Sequence, residues 1–339
     1  MRGYMAGFLS CLPARWLPLI VATGAACAPG AERGGADTTT EESGPLVVFT
    51  AGSLGRPMRA ALDSFARRTG VPYELETAGS LETARKLTEL GKTPDIVALA
   101  DEEVFPKLLE PKFTTWYARF ARNRLVVAYS PRSRFAEQLR AGPWWRVLTS
   151  PGVEVGRSDP DRDPSGYRAL IAMQLAEWHY GEPGLAARLE RAAARRNIRP
   201  KEADLVALLE TGELDAGWLY ESLARSTGLP FVALPPEIDL GTPAQAAKYA
   251  RASVRVQGAG MGDTLTIVGL PIAYAISIPI NAPHGETASR FLRFLLSPDG
   301  KAALRAQSLD VLDRAVLVGA GAPQLDAGVA DSAPPATAR

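Results

Sequence analysis

The sequence predicts an α/β protein of two lobes joined by two chain crossings. From residue 45 onward, short apolar runs alternate with helical periods, the pattern of largely parallel sheets covered by helices. The pentapeptide Thr-Ala-Gly-Ser-Leu occurs twice there, at Thr50–Leu54 and Thr77–Leu81, each time between a strand pattern and a helix pattern. The chain has 339 residues, enough for two domains of ordinary size.

Residues 1–27 read as an export leader. Arg2 and Arg15 supply positive charge, and Trp16–Ala26 is an apolar stretch ending in small residues, too short to span a bilayer as a helix. Gly24-Ala-Ala-Cys27 resembles a lipoprotein cleavage box with Cys27 as the residue to be acylated, although Leu is missing three positions before the cysteine. The alternative is ordinary cleavage in an Ala-rich sequence, with Cys27 incidental. Residues 28–44, rich in Gly, Ala, Thr and Glu, bury too little to fold and form a flexible tether. Residues 319–339 are expected to be a disordered tail for the same reason. Cys11 and Cys27 are the only cysteines, so the folded part relies on its core and not on disulfides.

The strand-like segments are Pro45–Thr50, Val71–Glu76, Asp95–Ala100, Arg124–Ser130, Asp215–Tyr220, Phe231–Leu234 and the extended run Thr264–Pro279. Helical periods cover Met58–Phe65, Leu81–Leu87, Phe135–Arg140, Ser165–Tyr180, Gly184–Asn197, Ala203–Thr211, Thr287–Leu296 and Lys301–Ser308, with a short helix at Phe105–Leu109. Crossings are expected near Leu125–Ser130 and Ala275–Pro279. The first lobe is then 45–127 with 278–318, and the second is 128–277. Lobes joined in this way close over a ligand by hinge motion.

Each Gly-Ser turn points backbone N–H groups and a hydroxyl at whatever lies over the following helix N-terminus. That end carries partial positive charge and unpaired donors, so it suits an anion. A serine there is also an ordinary N-cap; the repeat of the whole strand-turn-helix context favours a ligand held from two sides. The formal net charge is +1 and no basic run occurs, which argues against nucleic acid as a partner. His179 and His284 form no metal-ligand pattern with the cysteines. No nucleophile elbow or metal cluster is visible, which weighs against an enzyme. An acid-base pair of Asp163 and Glu221 in an exported hydrolase is the competing reading from another class.

Several segments together resemble the substrate-binding component of ABC importers for molybdate and tungstate, in particular the branch first described in archaea. They are Phe49–Leu54, Glu76–Ser80, Pro94–Ala98, Gly156–Arg168, Leu214–Ala224, Leu234–Leu240 and Phe291–Gly300, within roughly residues 45–318. The resemblance implies a bilobal, periplasmic-binding-protein-like fold of type II, with no cofactor and no catalysis. Its ligand is molybdate or tungstate; its partners are a permease and an ATPase subunit. It is expected to lie outside the cytoplasm, with the leader motif above tethering it to the membrane through a lipid on Cys27.

Carried onto this chain, the family's serines fall on Ser53 and Ser80, and the second lobe contributes around Asp163, Ser165, Tyr220 and Glu221. In the archaeal branch two carboxylates reach the metal centre itself; the resemblance assigns these to Asp163 and Glu221. Asp159 competes with Asp163, which directly precedes Pro-Ser-Gly, and Glu237 competes with Glu221, which follows a strand end. Asp161, Arg162 and Arg168 read as a solvated face or an ion pair, and Tyr220 also reads as a packing residue whose hydroxyl finds a partner. A receptor for sulfate or phosphate, with the carboxylates uninvolved, is the alternative ligand reading.

Overall fold

The computed structural model describes residues 44–258, 262–321 and 330–333. The expected leader, the lipid site Cys27 and nearly all of the tether lie outside the described residues. The first lobe opens with β1 (Leu46–Ala51), α1 (Gly55–Thr69), β2 (Tyr73–Ala78), α2 (Ser80–Thr88) and β3 (Ile96–Leu99). One π turn at Phe105–Leu109 leads into β4 (Trp116–Arg122). The second lobe follows with β5 (Leu125–Tyr129), α3 (Ala136–Ala141), α4 (Trp144–Leu148), β6 (Val155–Ser158) and α5 (Pro164–Tyr180). It continues through α6 (Leu185–Ala192), β7 (Ile198–Arg199), α7 (Asp204–Thr211), β8 (Ala216–Tyr220), α8 (Glu221–Thr227) and β9 (Phe231–Ala233). After α9 (Ala246–Tyr249) comes the hairpin β10 (Ser253–Gln257) and β11 (Thr264–Val268). The first lobe is completed by β12 (Ala273–Ser277), α10 (Gly285–Leu296), α11 (Pro298–Arg305), β13 (Asp310–Gly319) and β14 (Ala330–Ala333).

These strands make a seven-stranded sheet, β14-β13-β4-β12-β3-β1-β2, and a five-stranded sheet, β7-β6-β8-β5-β9. Helices cover them in the manner of an α/β fold. The edge strand β2 alternates half-buried and exposed residues, whereas the central β3, Ile-Val-Ala-Leu, is buried throughout. The repeated pentapeptides occupy neighbouring parallel strands in matching register, with Thr50 beside Thr77 and Ala51 beside Ala78. Both Gly-Ser turns therefore emerge side by side at the carboxyl end of one sheet, where open α/β sheets hold ligands.

The chain changes sheet between Arg122 and Leu125, slightly before the boundary expected at 127. Strand β12, placed by the sequence in the second lobe, pairs antiparallel with β3 and β4 in the seven-stranded sheet. All five residues of β5 and of β12 are buried, so their apolar character fits either sheet, and only the nonlocal pairing decides. The second crossing thus falls near Gly269–Ile272 and not at Ala275–Pro279. Part of the expected tail is ordered too, since β14 pairs parallel with β13. Among the described residues no helix is long and apolar enough to cross a membrane.

Candidate functional site

Ser53 lies in the 3-10 turn Gly52–Leu54 and Ser80 is the first residue of α2; both are buried. The Ala100 N–H donates to Ser80 Oγ at 3.0 Å, and the Tyr274 hydroxyl donates to Ser53 Oγ at 3.0 Å. With one acceptor position of each serine filled, each serine proton is free to point away from the sheet.

Two segments of the second lobe press onto these turns. A Cβ added at Gly79 would meet the Arg162 carbonyl oxygen at 2.1 Å and the Asp163 Cα at 3.1 Å, while one at Gly52 would meet the Lys201 side chain at 3.3 Å. Only glycine leaves room for so close an approach at the second turn. The Leu81 and Glu82 N–H groups donate to the Arg162 carbonyl at 3.1 and 3.3 Å. The helix N-terminus that the sequence offered to an anion is therefore partly occupied by the opposing lobe. Arg85 on α2 donates to the Asp161 carbonyl at 2.7 Å, and Arg162 pairs with Glu82 at 2.9 Å. The cleft is closed.

Asp163 and Glu202 stand inside it, each just before a helix, α5 and α7. Asp163 occupies the N-cap position with Pro164 next, yet its side chain does not cap its own helix. Its Oδ2 instead accepts the Glu202 N–H at 2.9 Å, and Glu202 Oε2 accepts the Tyr220 N–H at 3.0 Å. The exposures are 3% and 1%. Burial lifts the Asp163 carboxyl to about 6, against the pull of the Ser158 hydroxyl, the Glu202 N–H and Arg168. Burial lifts Glu202 well above the usual range, and the neighbouring Asp163 pushes it in the same direction. The Ser158 and Ser165 hydroxyls lie beside the Asp163 and Glu202 carboxylates respectively and pull each carboxyl down, so both serines are engaged with the pair.

Arg168 supplies the positive charge beneath. It pairs with Asp101 at 3.1 Å and donates to the Ala100 carbonyl at 2.6 Å and to the Tyr220 hydroxyl at 2.7 Å. Burial works against its charge, but Asp101, Tyr220 and Tyr167 outweigh that and hold it protonated. Ala100 thus links Ser80, through its N–H, to Arg168, through its carbonyl.

The structure brings together Ser53, Ser80, Asp163, Ser165 and Tyr220 of the residues singled out in the sequence. Glu221 lies apart, on the hinge face, where it binds Arg124 at 3.0 Å and Arg225 at 2.7 Å beside an open cavity of about 340 Å³. Being the first residue of α8, it turns away from the end of β8 instead of facing inward. Glu237 lies near Tyr180. Asp159 shapes the loop, its Oδ1 accepting the Asp161 N–H and its carbonyl the N–H groups of Arg162 and Asp163. His179 packs edge-on against Tyr180, and His284 bonds to Asp95. Glu202 escaped the sequence reading because an acid just ahead of a helix looks like a charge opposing the helix dipole. The available signal was its place after the Ile198-Arg199 strand, in a turn equivalent to that of Asp163 after Ser158.

Comparison with known proteins agrees with this architecture. A solute-binding protein of Petrotoga mobilis is 40% identical over 263 residues, spanning 77% of this chain and 82% of its own. The molybdate/tungstate-binding protein WtpA of Pyrococcus abyssi is 35% identical over 313 residues, spanning 84% and 90%. The solved periplasmic molybdate-binding protein of Azotobacter vinelandii superposes with a TM-score of 0.56 over 78% of this chain and 98% of its own, at 16% identity, a likeness of fold. The profile of bacterial extracellular solute-binding proteins matches residues 46–308, and the chain belongs to that family.

Proposed function

We propose that the protein captures molybdate or tungstate outside the cytoplasm and delivers it to an ABC importer, and that Asp163 and Glu202 bind the metal atom of the oxyanion. The observation that carries the reading is the buried carboxylate pair facing two serine turns. A proton-free tetrahedral dianion needs donors, and Ser53 and Ser80, with Ser165, offer hydroxyl protons. Sulfate would accept those donors equally well, so the carboxylates must make the difference. Asp163, with a carboxyl at about 6, is charged at neutral pH and in a dry cleft repels sulfate, whose sulfur takes no further oxygen ligands. Molybdenum and tungsten are larger and accept six oxygen neighbours, and a carboxylate is a hard donor suited to them. The same site thus admits one class of dianion and opposes the other. Two close relatives that carry molybdate and tungstate in their names support this choice.

Delivery needs partners, a permease and an ATPase subunit, and a lipid on Cys27 would keep the protein near them. The experiment is a calorimetric titration of the purified protein with tungstate and molybdate, alone and with a large excess of sulfate. Tight binding unaffected by sulfate is the expected result. Displacement by sulfate, or no tungstate binding at all, overturns the reading.

A further inference from the structure

Asn123 sits between the two sheets at the first crossing and is 6% exposed. Its amide orientation is fixed, because its Oδ1 accepts the Arg124 N–H at 3.0 Å and the Ser222 N–H at 3.3 Å. Its Nδ2 therefore faces the other way with two protons. One goes to Ser222 Oγ of the second lobe at 2.7 Å and the other to the Tyr274 hydroxyl oxygen of the first lobe at 2.8 Å. With an amide donor on its oxygen, the Tyr274 proton goes on to Ser53 Oγ at 3.0 Å. Tyr274 is fully buried, its ring edge-on to Tyr220 at 5.9 Å, so the phenol has no freedom to turn elsewhere.

We infer that Asn123 and Tyr274 are positioning residues that fix Ser53 as a hydrogen-bond donor to the bound anion. The inference rests on the oxyanion reading above. An amide has only protons to give at its nitrogen, a phenol passes the polarity on, and a serine that accepts at one side must donate at the other. Ser80 is set the same way by the Ala100 N–H, but through a backbone group that no side-chain change can reverse. A serine fixed as a donor suits an anion whose oxygens are all acceptors. The anchor of this chain is also the hinge: Asn123 holds Ser222 on one lobe and Tyr274 on the other, so the polarity of Ser53 is set where the lobes join.

The test is a double-mutant cycle with molybdate as the probe. Tyr274→Phe in the wild-type background should weaken molybdate binding about tenfold, the value of one hydrogen bond to a charged oxygen. In a Ser53→Ala background the same change should have less than about a twofold effect, because the residue acts only through Ser53. Asn123→Asp should reverse the chain, making Tyr274 donate to the carboxylate and Ser53 an acceptor, with a similar loss that also disappears in Ser53→Ala. Thermal melting without ligand reports folding separately. Equal losses in both backgrounds, or no loss, overturn the inference while leaving the oxyanion reading intact. Failure of the wild-type protein to bind molybdate overturns that reading and this one together.

Discussion

The Glu202 N–H donates to Asp163 Oδ2 at 2.9 Å, so a carboxylate from the turn before α5 is held by the backbone of the residue whose own carboxylate comes from the turn before α7. The Asp163 carboxylate is held by the Glu202 N–H and the Glu202 carboxylate by the Tyr220 N–H, and these placements fix which variants should affect the ligand.

Glu202→Gln should lower tungstate affinity by about a hundredfold, since it removes an oxygen ligand of the metal from a dry site. Glu221→Gln should change it by less than about twofold, because that carboxylate engages Arg124 and Arg225, both half-exposed. Titration calorimetry of the two variants side by side decides between the carboxylates. Comparable losses would return Glu221 to the site.

Stability of the ligand-free protein should fall as pH rises. The Asp163 carboxyl moves from 3.8 in the open chain to about 6 in the fold. A raised carboxyl value means the native state holds more protons between those two pH values, so the penalty is absent below the lower and complete above the higher. That shift corresponds to roughly 3 kcal/mol. Asp163→Asn should raise the melting temperature at about pH 8 and flatten the slope between about pH 4 and 6. Glu202 is displaced in the same direction and keeps part of the slope. An unaltered profile would assign the titration elsewhere.

Gly79→Ala should leave each lobe folded and prevent closure. The added Cβ would lie 2.1 Å from the Arg162 carbonyl oxygen, a backbone atom that cannot rotate aside, while the Gly79 φ of −65° suits alanine. Binding should weaken about tenfold or more, as expected when the competent closed state is depopulated. Small-angle scattering with tungstate should show the extended form persisting in the variant. Compaction equal to that of the parent would refute the steric argument.

Arg168→Met should destabilise the fold by about 3–5 kcal/mol, because it strands the Asp101 carboxylate in the interior. Denaturant unfolding measures it, and Asp101→Asn in the same chain should recover part of the loss. No recovery would mean that Arg168 acts by packing alone.

Much of the fold was legible because its signals are local. The Pro164 start and Gly181 end of α5 bracket a helix that the sequence marks almost to the residue, and Gly181 takes a left-handed φ of 62° that stops it. The paired pentapeptides announced neighbouring turns, and the register of β1 with β2 placed them side by side. Strand partners were not legible. The all-buried β12 carries no mark of which sheet it joins, and β4 and β13 owe their pairing to residues far along the chain. Of the proposed site, the turns of Ser53 and Ser80 were readable from the repeated pentapeptide, while Asp163 was assigned by the family resemblance. Glu202 was not readable, because its identity depends on the Ile198-Arg199 strand lying against β6. Glu221 was misplaced because the strand end before it was right and the direction of its side chain was not.

The Arg162 carbonyl, which receives the Leu81 and Glu82 amides from across the cleft, has one more consequence. Those two protons are shielded only while the halves are shut, and water reaches them each time the halves part. Their deuterium uptake is therefore a built-in clock for gaping. It should slow as cargo is added, in step with the time a captured ion stays trapped.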